Sequence, residues 1–498
     1  MLEQKRAAEA EMYAEEQRLV ARRLRLLVVT SGLVALMAGA GAFFGFWQRS
    51  EARRQALLAV VAKRDAEEQA HRAVQAADLA IQASRDAAKA KQGAEEQARF
   101  ATVLRLVLQS SDLLDKDLKL SLLLAVEAVR IGSVDQIPAA EQALRTAVGK
   151  LGGSLVGRSE AQITALAISP DGRRLLTASI DKTARLLDPE SAKALLTLMG
   201  PSGELCSAQF SPDGRLLVTA SWDGTARLWD AATGKHIFEP MQHKGPVYSA
   251  QFSHGGRLVV TASEDKTARL WDAFTAEPIG EPMQLKAPVL SAQFSPDERL
   301  AMTTSADGAV RLWLLTAKGL RLWLLTAKGP EPSPMVFHGV SGPLKVAAIR
   351  SDNRWCVTAS SDGTAQLWDL TAKDPTADPV VLRGHTGPID VVATSLDAHW
   401  LVTGSFENAA TLWDLTAKDP AANRFELPGN QGGVRAVAVS PNNRWLVTGG
   451  TDGSVRLWFI QTSDLIKQAR IAVGRNLTAN EWALYFPGMP YHKTFPEL

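Results

Sequence analysis

Residues Phe210–Asp230 read FSPDGRLLVTASWDGTARLWD. Two strand-like runs, RLLVTAS and TARLWD, are separated by WDG, and SPDG precedes the first; both are tight-turn signals. The pattern returns along the chain, with cognate positions at Leu187, Trp229, Trp271, Trp313, Trp368, Trp413 and Trp458. The first three spacings are 42 residues and the last two are 45. The 55-residue gap from Trp313 to Trp368 holds a tandem copy, VRLWLLTAKG (310–319) followed by LRLWLLTAKG (320–329); removing ten residues restores 45. Each unit adds a run such as LCSAQF before the first turn and a shorter one such as HIFEP after the last strand. Four strands in about 43 residues, repeated seven times, specify a mainly β fold, a seven-bladed β-propeller.

Within the repeats, Asp181, Asp223, Asp265, Asp307, Asp362 and Asp452 precede the third strand and read as turn formers, with Glu407 in their place in the sixth unit. Arg185, Arg227, Arg269, Arg311 and Arg456 follow four residues later, a spacing suited to ion pairs with those carboxylates. The seventh unit ends at Phe459–Ile460 without a fourth strand, and Gly152–Gly157 (GGSLVG) precedes the first full unit. In the tandem copy, the first decapeptide follows the Asp307–Gly308 turn directly and reads as the strand. The second is then an extra edge strand or an exposed apolar patch.

These repeats resemble the WD-repeat family over residues 152–461. The resemblance implies ring closure by one blade shared between the termini, for which Gly152–Gly157 would supply the strand that the seventh unit lacks and so protect the sheet edges. It also implies that a Gly-His often precedes the first strand, hydrogen-bonded through Ser/Thr and Asp toward the Trp. Only His385 keeps Gly-His; His243 and His338 lie in the same region, and the other blades lack it. Blades without it are expected to rest mainly on packing.

Before the repeats, Leu26–Trp47 runs 22 positions without a charge, flanked by Arg22, Arg23 and Arg25 on one side and Arg49, Arg53 and Arg54 on the other. That length suits a single membrane-spanning helix with an interfacial Trp. Lys and Arg counts over the 20 residues on each side tie at five, so charge does not orient it. Small residues recur through Gln48–Gln92 at 66, 70, 73, 77, 80, 84 and 87, a seam that predicts a long helical stalk and allows weak homo-oligomerisation. Shorter amphipathic helices are expected at Leu118–Ile131, capped by Asp117, and at Ala139–Val148. The domains read as 1–25 charged helix, 26–47 transmembrane helix, 48–150 stalk and helix pair, 151–461 propeller, and 462–498 helical cap. In the cap, Leu465, Ile466, Ala469 and Ile471 form an apolar stripe, with Trp482 and Tyr485 as an aromatic patch.

The order of Arg-flanked apolar helix, Ala-rich helix, LLLAVEAV, repeats and final GRNLTANEWALYFPGMPY resembles the C-terminal half of bacterial STAND-type signalling NTPases. That resemblance implies a cytoplasmic N-terminus, a periplasmic or extracellular propeller, and partnership with such an NTPase. No GxxxxGK[ST] occurs, so a P-loop is excluded from this chain itself.

Composition narrows the function. Lys+Arg is 55 against Asp+Glu 53 in 498 residues, without the basic excess of a nucleic-acid binder. Two cysteines without CxxC, and eight scattered histidines without HExxH, offer no zinc site. No catalytic, cofactor or metal-binding residue is expected, and the chain reads as a non-enzymatic scaffold or sensor. A structural envelope spacer and a channel-based enzyme are the alternatives.

Comparing the repeats with one another locates the recognition face. Two registers vary most: Thr164, Cys206, Tyr248, Leu290, Lys345, Asp390 and Arg435 near the start of strand one, and Ile180, Trp222, Glu264, Ala306, Ser361, Phe406 and Thr451 before the turn carboxylate. From them, Trp222, Tyr248, Glu264, Lys345, Asp390, Phe406 and Arg435 form the candidate partner-binding set, since aromatics flanked by cations are common interface anchors.

Overall fold

A computed structural model describes residues 17–26, 47–132, 137–316, 319–322, 324–326, 329–331, 336–338, 344–407, 409–417 and 419–498. All but the ends of the Leu26–Trp47 run lie outside these residues. Among the described residues, no helix is long and apolar enough to cross a membrane. The chain divides into two units, 1–102 and 103–498.

In the first unit, residues 17–26 are helical. Helix α1 spans Trp47–Leu113 and does not stop at Gly93 as the sequence suggested. A helical glycine costs only about 1 kcal/mol relative to alanine, and the strong helix formers Ala94–Gln97 follow it. The expected seam is visible in burial over its first five positions, where Ala66, Ala70, Ala73, Ala77 and Ala80 are half-buried among exposed neighbours, but Ser84 and Ala87 are exposed. Gln17 and Arg18 border a cleft with Ala77, Ala80 and Ile81, so part of the seam meets a helix of the same chain.

The second unit holds the propeller. Its innermost strands are Ile163–Ile168, Leu205–Phe210, Val247–Phe252, Val289–Phe294, Leu344–Ile349, Ile389–Thr394 and Val434–Val439. Each opens an antiparallel sheet of the kind seen in blade 2, whose next strands are Leu216–Ser221 and Thr225–Asp230. The expected outer strand HIFEP is reduced to a bridge between Trp229 and His236 plus Met241–Gln242. Ser154–Arg158 pairs antiparallel with Ser454–Phe459, aligning Ser154 with Leu457 and Arg158 with Ser454. The start of the propeller thereby becomes the outer strand of its last blade. At this joint Gly453 adopts φ +71°, and a Cβ there would stand 2.2 Å from the Ser159 carbonyl oxygen, so only glycine fits.

Packing between blades is apolar: Phe210, Leu217, Trp229 and Leu205 of blade 2 bury against Leu176, Leu186 and Leu198 of blade 1. To this packing every Trp-bearing blade, with or without Gly-His, adds one hydrogen bond. Each Trp donates its indole N–H to a threonine ten residues earlier: Trp229 to Thr219, Trp271 to Thr261, Trp313 to Thr303, Trp368 to Thr358, Trp413 to Thr403 and Trp458 to Thr448, all at 2.8–3.0 Å. Cross-strand pairing sets Thr beside the residue opposite Trp, so the bond needs no histidine. Blade 3 extends it, with His243 Nε2 at 2.7 Å from Thr261 Oγ1 and Nδ1 at 3.0 Å from Asp265. Blade 6 keeps His385 on Thr403 at 2.6 Å. Blade 7 uses Asn430 instead, whose Oδ1 accepts from Thr448 at 2.7 Å.

A helical module shares the second unit. Its core gathers Val103 and Leu106 of α1 with helices α2 (Leu118–Ile131), α3 (Ile137–Gly149), α4 (Thr462–Val473) and α5 (Ala479–Tyr485). Asp117 caps α2 by accepting from Leu120 N at 3.0 Å. Leu465, Ala469 and Trp482 are buried, but Ile471 is 69 % exposed. Positions 465, 469 and 473 share one helical face and 471 points away, which corrects the expected stripe. Arg145 ties the module to blades 6 and 7: its guanidinium lies 5.0 Å from the Trp400 ring and 5.5 Å from that of Phe425, and it donates to the Ile460 carbonyl. Arg444 clasps Asp464 at 2.7 and 3.0 Å.

Two expectations follow for stability. Thr303→Val strands one buried indole N–H and costs about 1–3 kcal/mol; Thr261→Val strands both Trp271 and His243 and costs more, as urea denaturation midpoints will show. Burial and the charge of Arg424 hold the His385 imidazole down at about 4, whereas the unfolded value is about 6.5. Protons therefore bind the unfolded chain first, so stability is complete above pH 6.5 and drains as pH falls toward 4. His385→Asn, copying Asn430, should flatten that loss in pH-resolved melting curves.

Candidate functional site

The turn ahead of each third strand positions the candidate face. In blade 4, Asp307 accepts from Ala309 N at 3.3 Å and from Ser305 Oγ at 2.5 Å, and pairs with Arg311 at 2.6 Å. The Arg311 bond, the largest influence, holds the Asp307 carboxyl at about 2. Arg185–Asp181 (3.0 Å) and Arg227–Asp223 (3.8 Å) repeat the pair. In blade 3 the carboxylate turns to His243 instead. Burial opposes ionisation of Asp265, but bonds from Thr267, Lys244 N and His243 outweigh it and bring the carboxyl to about 2. The turn carboxylates and arginines are thus mostly spent on the scaffold.

The variable positions lie beside these turns and gather into two clusters. Trp222 of blade 2 meets Tyr248 of blade 3 edge-to-face, 6.1 Å between ring centres, and the Tyr248 hydroxyl donates to Glu264. On the other side, Asp390 of blade 6 accepts from Lys345 of blade 5 at 2.9 Å and from Arg435 of blade 7 at 3.4 Å. The Arg435 guanidinium lies 6.0 Å from the Phe406 ring centre. Such partly exposed pairs contribute only about 0–1 kcal/mol each, so they orient side chains more than they stabilise the ring. Trp222 is 52 % and Phe406 55 % exposed, while Tyr248 is half-buried. Cys206 lies between the clusters, within reach of both the Trp222 side chain and the charge of Arg435; burial pushes its thiol up to about 12, which removes it as a nucleophile.

The central channel encloses about 700 Å³ between the innermost strands. It carries a feature that the sequence reading passed over. Gln209, Gln251 and Gln293 occupy one register of blades 2, 3 and 4, where Ala348, Ala393 and Ala438 stand in blades 5, 6 and 7. The repeated SAQF was the signal. Gln209 accepts from Phe252 N at 3.0 Å, and Gln293 donates to the Ala347 carbonyl. Two of the three therefore staple neighbouring blades together. Among the described residues, no group of three or more His, Cys, Asp or Glu could hold a metal ion.

A seven-bladed ring sealed by its first strand, with Trp–Thr spokes and a turn carboxylate in most blades, defines a β-propeller built of WD-type repeats. Seven segments match the WD domain, G-beta repeat family: 149–188, 192–230, 234–272, 282–313, 335–369, 379–414 and 422–458. They cover about half of the chain, which belongs to the WD-repeat family. No curated protein matches it. Propellers of this family typically serve as protein-interaction scaffolds.

Because Trp222 and Phe406 are exposed and Tyr248 is half-exposed, replacing all three with alanine should leave the melting temperature nearly unchanged. Exposed-site changes are usually within about 0.5 kcal/mol each, and calorimetry will check this.

Proposed function

We propose that this chain is a non-enzymatic interaction platform that recognises a protein partner on the face carrying Trp222, Tyr248, Glu264, Lys345, Asp390, Phe406 and Arg435. The observation that carries the reading is the exposure of Trp222 and Phe406 beside the channel mouth. Buried apolar contacts hold the blades together without them. Large aromatics in solvent are costly to hydrate and are enriched among residues that dominate binding. The flanking charges set register and orientation for the partner more than raw affinity.

In this reading the apolar run Leu26–Trp47 tethers the chain to a membrane, and the propeller serves a bacterial signalling assembly of the STAND type. Its length and charge-free composition support the tether. The order of segments along the chain supports the signalling role.

The test is crosslinking capture from native membranes, with the full chain compared against the triple variant Trp222→Ala/Tyr248→Ala/Phe406→Ala. The expected result is a protein partner recovered by the parent and lost by the folded variant. Equal recovery by both would remove the face from the interaction.

A further inference from the structure

The tandem decapeptide gives blade 4 two candidates for one strand. Copies 310–319 and 320–329 are identical at nine of ten positions, differing only as Val310 and Leu320. Copy one is correctly spaced on its approach: Trp313 follows Asp307 by six residues, as Trp229 follows Asp223 and Trp368 follows Asp362. It is wrongly spaced on its exit. Leu344, which opens the next blade, lies 31 residues beyond Trp313, whereas Ile389 lies 21 beyond Trp368 and Val434 lies 21 beyond Trp413. Counted from Trp323, the second copy's Trp, the distance to Leu344 is 21. Each copy therefore satisfies one side of the blade.

The structure shows copy one in use and the surplus left at the outer edge. Strand Ala309–Thr316 pairs with the second strand of its blade, setting Val310 opposite Thr304, Leu312 opposite Met302 and Trp313 opposite Ala301. Its outer edge is divided between two partners. Ala309–Arg311 pairs with Val336–His338, and Trp313–Thr316 pairs with Gly319–Leu322 of the second copy. In blade 5, by contrast, one strand, Val380–Arg383, pairs with Thr364–Leu367.

We propose that blade 4 is a register switch in which either decapeptide serves as the third strand. Moving copy two into the strand brings the same Arg-Leu-Trp-Leu-Leu series to it. Arg321 takes the place of Arg311 against Asp307 and Ser305, and Leu322 takes the buried place of Leu312. Two differences favour copy one: the short Asp307–Gly308 turn runs directly into it, and Leu320 brings an added methylene to the fully buried site of Val310. The rest of the exchange shifts ten residues from the exit loop to the approach loop, and loop closure depends only weakly on length. The unused copy then emerges at the turn beside Ala306, at the end of the ring that carries Trp222 and Phe406. The switch thereby adds or withdraws an Arg-Leu-Trp-Leu-Leu loop at the candidate face. Its regulatory consequence rests on the reading of that face as the partner surface, although the exchange itself does not.

Two measurements on the full chain test the exchange. In the first, Thr304→Cys is combined with either Val310→Cys or Leu320→Cys and oxidised, and bridges are identified by peptide mass mapping. Leu320 now stands opposite Leu315, at the far end of the strand from Val310, so a bridge from position 304 to position 320 forms only in the exchanged register. In the second, melting curves compare Leu312→Asp, Leu322→Asp and the double variant. The expected results are a 304–320 bridge beside the 304–310 control, two tolerated single variants, and loss of cooperative melting in the double. The proposal is overturned by a missing 304–320 bridge where the control bridges fully, or by Leu312→Asp melting like the double variant. Neither measurement involves a partner, so its failure is distinct from failure of the face reading, which the capture experiment reports.

Discussion

The pairing of Ser154–Arg158 with Ser454–Phe459 is the constraint on which the rest of the propeller depends. A row of twisted four-stranded sheets has two open ends, each with unpaired backbone groups and an apolar face. Closing the row removes both at once. About 300 residues separate the paired strands, so this contact carries the largest loop-closure cost in the ring and depends on the blades between being formed. The helical module reinforces the same joint: Arg145 reaches blades 6 and 7, and Arg444 of blade 7 holds Asp464 of α4.

Within the closed ring, six blades meet the same polar problem; blade 1, with Leu187 in place of Trp, does not. The indole N–H of the repeated Trp must be satisfied in an apolar layer, and a threonine ten residues earlier always does it. Histidine or asparagine then extends the bond in blades 3, 6 and 7. Since the scaffold consumes the repeated polar residues, the positions left for recognition are those that differ between blades. That is why the differing aromatics and charges gather at the second residue of the innermost strands, as Tyr248, Lys345, Asp390 and Arg435 do, and in the turns before the third strands.

The propeller was legible because strand alternation, turn residues and a 42–45-residue period reinforce one another over seven units. Even the sealing strand could be read, from a missing strand at one end and a spare one at the other. Comparison among blades gave the seven positions of the proposed face, but not their contacts. It did not show that Tyr248 is committed to Glu264, or that Asp390 holds both Lys345 and Arg435. These partners come from different blades, and sequence comparison at one register carries no distance between registers. The channel glutamines escaped because their repetition looks like framework, which the Gln209 and Gln293 bonds show them to be.

Sequence alone determined the number of blades, the strand order within each, the sealing segment and the variable registers, because these follow from local patterning and counting. Tertiary structure decided what local patterning cannot encode. It carried α1 through Gly93, since burial of Val103 and Leu106 outweighs one poor helix former. It turned Ile471 outward while Leu465 and Ala469 went in, since a helix buries one face. On the tandem decapeptides it agreed with the sequence, seating the copy that follows the Asp307–Gly308 turn, and it added the Arg311–Asp307 pair, whose partners only the folded blade sets within reach.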